Sequence, residues 1–338
     1  MKINKISYIV PCYNETEVLP EFCRRAYAVA DGHPDYEFEF VYVNDGSVDN
    51  TPAMLNGFAD SDPRTKVLHF ARNQGHQAAI TAGMDFSSGD LIVIIDADLQ
   101  DPPELIDSIL VKINEGYDLV HMQRKHRTGE SWFKLTSAKF FYRIMKTFAN
   151  SKIVENCGDF RAFTRPVLKA MQGFRERHRF MRGLFTMVGF NQAIVQYDRD
   201  SRYAGQTKYP LHKMIALATN GLLSFSATPL HAIMWLSFLL WFISLIYFIK
   251  AIIDHFVLEI TVQGWTSIII LMTFYTGIII FCLSIIAAYI GRIFEQGQQR
   301  PLYWLYEVKN INWQQFDAGQ REIQLSNGII INKEIAKF

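Results

Sequence analysis

The chain has 338 residues, 49% of them apolar and 20% charged, enough to bury a sizeable core and to hold more than one structural unit. Its four cysteines (Cys12, Cys23, Cys157, Cys282) show neither CxxC nor zinc spacing, which argues against a disulfide framework or a cysteine-based metal site. The net charge of +1 conceals a segregation: residues 1–120 carry 8 basic and 20 acidic side chains, residues 121–213 carry 19 and 6. A basic block of that size implies an anionic partner; nucleic acid, phosphate esters and anionic lipid are the candidates, and a solvated charged face is the alternative.

The opening MKINKISYIVPCYNE meets proline and charge too early for the apolar core of a signal peptide. Apolar runs then predict strands over 6–10, 38–43, 66–70, 91–95 and 117–122, with helices around 15–30, 51–59, 74–87 and 103–115. Thr51-Pro52 and Asp101-Pro102-Pro103 are helix entries. Alternation of this kind predicts an α/β fold with a mostly parallel, Rossmann-like sheet covered on both faces, and ligands bound beyond the carboxyl ends of its strands. Those ends are polar: Pro11-Cys12-Tyr13-Asn14-Glu15, Asn44-Asp45-Gly46-Ser47, Arg72-Asn73 and Asp96-Ala97-Asp98. No GxGxxG follows the first strand and no GxxxxGK[ST] occurs, so the dinucleotide fingerprint and the phosphate-cradling lysine loop are excluded.

The fourth strand runs into LIVIIDADLQDPPE, residues 91–104. Residues two apart on a strand share a face, so Asp96 and Asp98 should converge while Ala97 turns away. Two hard oxygen ligands suit Mg²⁺ or Mn²⁺ shared with a diphosphate, whereas an uncompensated pair would be costly. A solvated loop pair is the alternative.

The pattern over 131–149 predicts a helix whose Lys139, Arg143 and Lys146 would face away from Phe133, Phe140, Phe141, Ile144, Met145 and Phe148. That pattern fits either a membrane-interfacial helix or a core-packed one with a basic edge. Lys134 falls off the stripe, where it is free to reach inward to a phosphate. Two uncharged runs, 230–249 and 265–291, are long enough to cross a bilayer, with a pair of buried core helices as the alternative. The short link DHFVLEITVQG makes them a hairpin, and Lys208, Lys213, Arg292 and Arg300 place its flanks in the cytoplasm. The division that follows is a catalytic domain over 1–207, a juxtamembrane segment over 208–228, a hairpin over 229–291 and a cytoplasmic tail over 292–338.

VPCYNE, VNDGSVDNT, RNQGHQAAITAG and DADLQDPPE, in this order, resemble the family-2 glycosyltransferases, which have the GT-A fold and use nucleotide-sugar donors. NCGDFRAFTR (156–165), ERHRFMRG (176–183), RYAGQTKYP (202–210) and the hairpin sharpen the resemblance to polyprenyl-phosphate glycosyltransferases. Within that group the chain is most similar to bactoprenol glucosyltransferases and more distantly to dolichol-phosphate mannose synthases. The likeness covers roughly residues 6–305 and gives the tail no role. It implies inverting transfer of a hexose, with UDP-glucose favoured over UDP-N-acetylglucosamine, to polyprenyl phosphate at the cytoplasmic face of a bacterial inner membrane. The implied cofactor is Mg²⁺ or Mn²⁺. The implied partners are the nucleotide sugar, the lipid and the membrane, not nucleic acid, with a homo-oligomer compatible.

Carried over residue by residue, the resemblance implies that Pro11, Tyr13 and Glu15 line the nucleotide pocket. Asp45 and Asp96 would meet the base or ribose, and Asp98, with Asp96 and Gln100, would hold the metal. Pro11 as a strand stop, and Asn14 and Asp45 as turn formers, are the plainer readings. Asp159 would act as an orienting group or weak base, or simply pair with Arg161. Arg124 and Ser137 would grip the acceptor phosphate, with Lys134 replacing an arginine whose place falls at Phe133. Arg202 and Lys208 would clamp the diphosphate, unless they serve only as a cytoplasmic flank. A processive polysaccharide synthase is disfavoured because QxxRW is absent, and a membrane-tethered sensor would not need Asp98, Asp159 and a basic acceptor helix together.

Overall fold

The computed structural model describes residues 2–125, 154, 157–198, 228–256 and 264–311. Eight strands form one sheet: β1 (Lys5–Cys12), β2 (Glu37–Asn44), β3 (Thr65–Phe70), β4 (Leu91–Ile94), β5 (Leu119–Arg124), β6 (Cys157–Thr164), β7 (Gln192–Tyr197) and β8 (Leu305–Lys309). Among the described residues six helices flank it: α1 (Leu19–Asp31), α2 (Thr51–Ser61), α3 (His76–Phe86), α4 (Ile106–Asn114), α5 (Arg165–Gln172) and α6 (Met181–Met187). Two long helices follow, α7 (Thr228–Phe256) and α8 (Trp265–Gly297).

The spatial order is β7-β5-β6-β4-β1-β2-β3-β8. β1, β2, β3 and β4 run parallel, as do β5 and β7. β6 is antiparallel to both β4 and β5, and β8 is antiparallel to β3, so the sheet is mixed. Strands buried on both faces explain the continuous apolar runs of the sequence. Tyr8 and Val10 of β1 face a core made with α1, α2 and α4, while Ile9 faces the one built on α3, α5 and α6. α3 lies so close on β1 that a Cβ at Gly83 would stand 2.2 Å from Ile9 Cγ2, a position only glycine fills without displacement.

The five expected strands and four expected helices are all present, shifted by a few residues at their ends. β6, β7 and β8 are additional. β8 brings residues 305–309, within the stretch read as a tail, into the sheet beside β3. Phe70 of β3 stacks on Tyr303 at 5.6 Å, and the buried Leu305 and Val308 close an apolar cluster there.

Among the described residues one stretch, Phe274–Gly297, is long and apolar enough to cross a membrane. Ala232–Tyr247 of α7 is a shorter apolar stretch, so the expected pair of spans is met in full by one. Large apolar side chains on both helices are exposed, Trp235, Trp241, Phe281 and Phe294 among them. Ser244 Oγ donates to Tyr275 Oη at 3.1 Å, joining α7 to α8. The expected helix over 131–149, with Lys134, Ser137, Lys139, Arg143 and Lys146, and the pair Arg202 and Lys208 lie outside the described residues.

Candidate active site

The loops after β1 and β2 are stitched together at the carboxyl edge of the sheet. Asn14 takes a left-handed conformation (φ 54°), which asparagine tolerates better than most side chains. Its N–H donates to Ser47 Oγ at 3.0 Å and its Oδ1 accepts from Val48 N–H at 2.9 Å. Glu15 N–H donates to Thr51 Oγ1 at 2.9 Å, and Tyr13 is left exposed beside this turn. Pro11 is the next-to-last residue of β1, in register with Val43.

Asp45 is buried, and its carboxylate accepts from the backbone N–H groups of Gln74 (2.6 Å) and Gly75 (2.9 Å). Burial raises its pKa, and those two amides pull the other way. Asp45 therefore fastens the β3–α3 loop to the end of β2. Gly46 enters the same junction at φ 66°, where a Cβ would stand 2.4 Å from the Arg72 carbonyl carbon.

β4 stops at Ile94, so strand alternation does not carry Asp96 and Asp98. They sit on a turn that passes through Leu99 at φ 58°. The inside–outside pattern nevertheless persists: Ala97 and Leu99 are buried, whereas Asp96, Asp98 and Gln100 are half-buried. Asp98 Oδ1 accepts from Gln100 N–H at 3.2 Å. Among the described residues no group of three or more His, Cys, Asp or Glu side chains is set as metal ligands. The oxygen donors at this turn are the two carboxylates and the Gln100 amide.

Across from the turn, β6 presents Asp159 and α3 begins with His76. His76 Nε2 lies 3.3 Å from Asp159 Oδ2 and 3.7 Å from Asp96 Oδ1, bridging a carboxylate of β6 and one of the turn after β4. Arg182 of α6 closes the far side, donating from Nε to Asp159 Oδ1 (3.1 Å) and from Nη2 to Oδ2 (3.3 Å). Arg161 is a longer partner at 3.9 Å; it is buried, bonded to the Gly158 carbonyl at 2.8 Å and stacked over Phe185 at 4.5 Å. The pairing expected with Arg161 is therefore mainly a pairing with Arg182.

The charges explain the protonation states. Burial raises the Asp159 carboxyl, but Arg182, His76 and Arg161 outweigh it and hold it well below the usual range. Burial lowers His76, and Asp96 and Asp159 more than reverse that, bringing it up to about 9. Asp96 is raised to about 6 by burial and by Asp101, Asp98 and Asp159, against the pull of His76. Near neutral pH the cluster is thus an ionised Asp159 gripped by cations, next to an Asp96 short of positive charge.

Arg124 ends β5 beneath the same turn. Its Nε donates to Tyr197 Oη at 3.2 Å and its Nη2 reaches Asp101 at 3.4–3.5 Å, while Tyr197 Oη donates to Asp101 Oδ1. Gly158 lets Arg124 in, since a Cβ there would stand 2.6 Å from Nη2. Sequence reasoning missed His76, Arg182, Asp101 and Tyr197. His76 and Arg182 lie inside RNQGHQAAITAG and ERHRFMRG, so the motifs were visible, but the contacts join residues 76, 96, 159 and 182 only after folding.

The glycosyl transferase family 2 model matches residues 7–171. The chain is 41% identical to an uncharacterized glycosyltransferase of Bacillus subtilis, YkcC, over 88% of this chain and 92% of that one. It is 37% identical to the bactoprenol glucosyl transferase of Shigella phage SfV, over 90% of this chain and 99% of that one. Among solved structures, glucosyl-3-phosphoglycerate synthase of Mycobacterium tuberculosis, in complex with Mn²⁺, UDP-glucose and phosphoglyceric acid, aligns at 19% identity and a TM-score of 0.44, over 65% of this chain and 78% of that one. Identity at this level along nearly the whole of its relatives, on a mixed sheet with polar loops gathered at its carboxyl edge, makes the chain a family-2 glycosyltransferase with the GT-A fold.

Proposed function

We propose that this enzyme transfers a hexose, with UDP-glucose as the donor, to polyprenyl phosphate with inversion, from the cytoplasmic face of a membrane in which α7 and α8 form a hairpin anchor. The observation that carries the reading is the cluster of Asp96, His76, Asp159 and Arg182 at the carboxyl edge of the sheet, flanked by the joined β1 and β2 loops. Relatives named bactoprenol glucosyl transferase, similar along 99% of their length, support the choice of acceptor and of sugar. The exposed apolar surface of α7 and α8 supports their place in lipid.

Asp96, Asp98 and Gln100 fit a divalent cation: Asp96 is held up to about 6 in part by neighbouring carboxylates, a frustration that a cation would relieve. Mg²⁺ or Mn²⁺ would supply charge neutralisation of the leaving diphosphate. Pro11, Tyr13 and Glu15 line the nucleotide side, and Asp45 acts by holding the β3–α3 loop. A phosphate monoester is already mostly dianionic near neutral pH, so the acceptor does not need a strong base. Asp159, ionised and fixed by two hydrogen bonds from Arg182, suits orientation and not proton transfer. Arg124, held to Asp101 only at 3.4–3.5 Å, is placed to swing onto an acceptor phosphate together with Lys134 and Ser137, while Arg202 and Lys208 clamp the diphosphate.

Membranes carrying the chain, incubated with a panel of radiolabelled nucleotide sugars and extracted with organic solvent, test this. Label in the organic phase from UDP-glucose, dependent on polyprenyl phosphate, is the expected result. Insoluble polymer, or no transfer to lipid with any sugar, would overturn it.

A further inference from the structure

A second basic site lies outside the catalytic cluster. Where α8 ends, a cleft of about 460 Å³ opens between the β3–α3 loop, the segment before α6 and the chain that leads into β8. Arg72, Arg177, His178, Arg179, Glu295 and Trp304 line it. Its charge is poorly balanced. Arg179 donates only to neutral oxygens, Thr81 Oγ1 at 2.9 Å and the Phe174 carbonyl at 2.7 Å, and its buried Nε has no acceptor among the described residues. Arg72 is exposed and lies over the Trp304 ring at 5.0 Å, with no carboxylate within 4 Å among the described residues. Arg177 reaches Glu295 only at 3.9 Å, whereas His178 Nε2 stands 2.7 Å from the same carboxylate. One acid thus serves two cations directly, Arg179 feels Asp85 and Glu176 only without a direct ion pair, and Arg72 faces no carboxylate within 4 Å among the described residues.

The position of the cleft narrows the ligand. Glu295 lies in the last turn of α8, at the end of the stretch Phe274–Gly297 that can cross a bilayer. Lipid headgroups occupy that level, and a tryptophan wall beside arginines is a pairing suited to it. Planar guanidiniums bind phosphate oxygens in a fork that a lysine cannot match. We propose that this cleft binds the phosphate of an anionic lipid headgroup and seats the catalytic domain against the membrane surface. The proposal rests on the reading of α8 as a membrane span. It concerns a bound membrane lipid, not the acceptor proposed to sit at Arg124 under the Asp96–Gln100 turn.

The full chain in neutral detergent, titrated with dioctanoyl phosphatidylglycerol and followed by thermal unfolding, tests it. Phosphatidylglycerol should raise the unfolding temperature, and dioctanoyl phosphatidylcholine should not. The double substitution Arg72→Gln, Arg177→Gln should weaken the apparent Kd by roughly tenfold or more. Glu295→Gln should strengthen it several-fold, a gain that damaged folding cannot produce. Equal stabilisation by both lipids, or unchanged affinity in the double variant, would overturn the site. An equal response to inorganic phosphate would reassign it to free phosphate, and displacement of phosphatidylglycerol by UDP would reassign it to the nucleotide; either result refutes the lipid proposal. Alkaline carbonate extraction of native membranes separates the two failures. Release of the chain would sink the membrane reading, whereas retention without phosphatidylglycerol binding would sink the cleft alone.

Discussion

Arg182 and Asp159 should behave as one unit in catalysis. Their two hydrogen bonds, at 3.1 and 3.3 Å, join a buried carboxylate to a guanidinium whose side chain is 31% exposed. Hydrogen bonds to charged groups are worth about 1.5–3 kcal/mol each, and partial exposure of the arginine takes the pair to the lower part of that range. His76 at 3.3 Å and Arg161 at 3.9 Å still neutralise Asp159 when Arg182 is gone, which caps the loss further. Arg182→Gln should therefore cost about 2 kcal/mol in kcat/KM, or roughly 30-fold. Asp159→Asn should cost at least as much, since it also releases His76 and leaves three cations facing a neutral amide. If Arg182 acts through Asp159, the double variant should be little worse than Asp159→Asn alone, a coupling of about 1.5–2 kcal/mol. Arg182→Lys keeps the charge but not the fork, and should fall between wild type and Arg182→Gln. Initial rates of label transfer to lipid, at subsaturating donor, give all four corners of the cycle. Losses that simply multiply would refute the unit, leaving Arg182 to contact substrate independently.

Asp98→Asn should lower turnover by orders of magnitude, and EDTA should abolish transfer by the native enzyme; full activity of the variant in chelator would remove the metal from the reading. Gly46→Ala should destabilise the protein by about 2 kcal/mol or more, because φ 66° is strained for alanine and its Cβ would collide with Arg72 at 2.4 Å; an unchanged unfolding temperature would contradict that. Glu39 should govern acid stability. Burial raises its carboxyl, but Lys66 at 2.6 Å and Lys5 at 2.9 Å outweigh burial and bring it down to about 2. A depressed carboxyl stabilises the fold above its unfolded value near 4.5 and loses that contribution as pH falls toward 2, so the unfolding temperature should drop across this window. Glu39→Gln should flatten the drop, and an equally steep acid limb in that variant would assign it to other carboxylates.

The central strands were legible in the sequence because burial on both faces of β1, β2 and β4 writes a run of apolar residues that needs no partner to be recognised. β6, CGDFRAFT, was not, since every one of its residues is buried yet Asp159 and Arg161 interrupt the pattern with charge. Only their mutual neutralisation with Arg182 and His76 makes such burial tolerable, and that depends on residues about 20 and 80 positions away. The same reason hid the site. Asp96, Asp98 and Asp159 were found as motif residues, whereas the cations that meet Asp96 and Asp159 come from α3 and α6. Asp45 was likewise found as a motif residue, but the amides of Gln74 and Gly75 that its carboxylate accepts from lie 29 and 30 positions away, beyond its motif.

β8 carries a consequence for biosynthesis. It is encoded after both apolar helices, yet it covers the free edge of β3, and the Trp304 carbonyl accepts from Ala71 N–H (3.1 Å) and Gln74 Nε2 (3.3 Å) on the loop that Asp45 fastens. A ribosome translating this chain must release α7 and α8 before the sheet can be finished. Until then the nascent domain exposes an open strand edge, prone to pairing with other chains. Completion of the sheet thereby waits until both apolar helices have been synthesised.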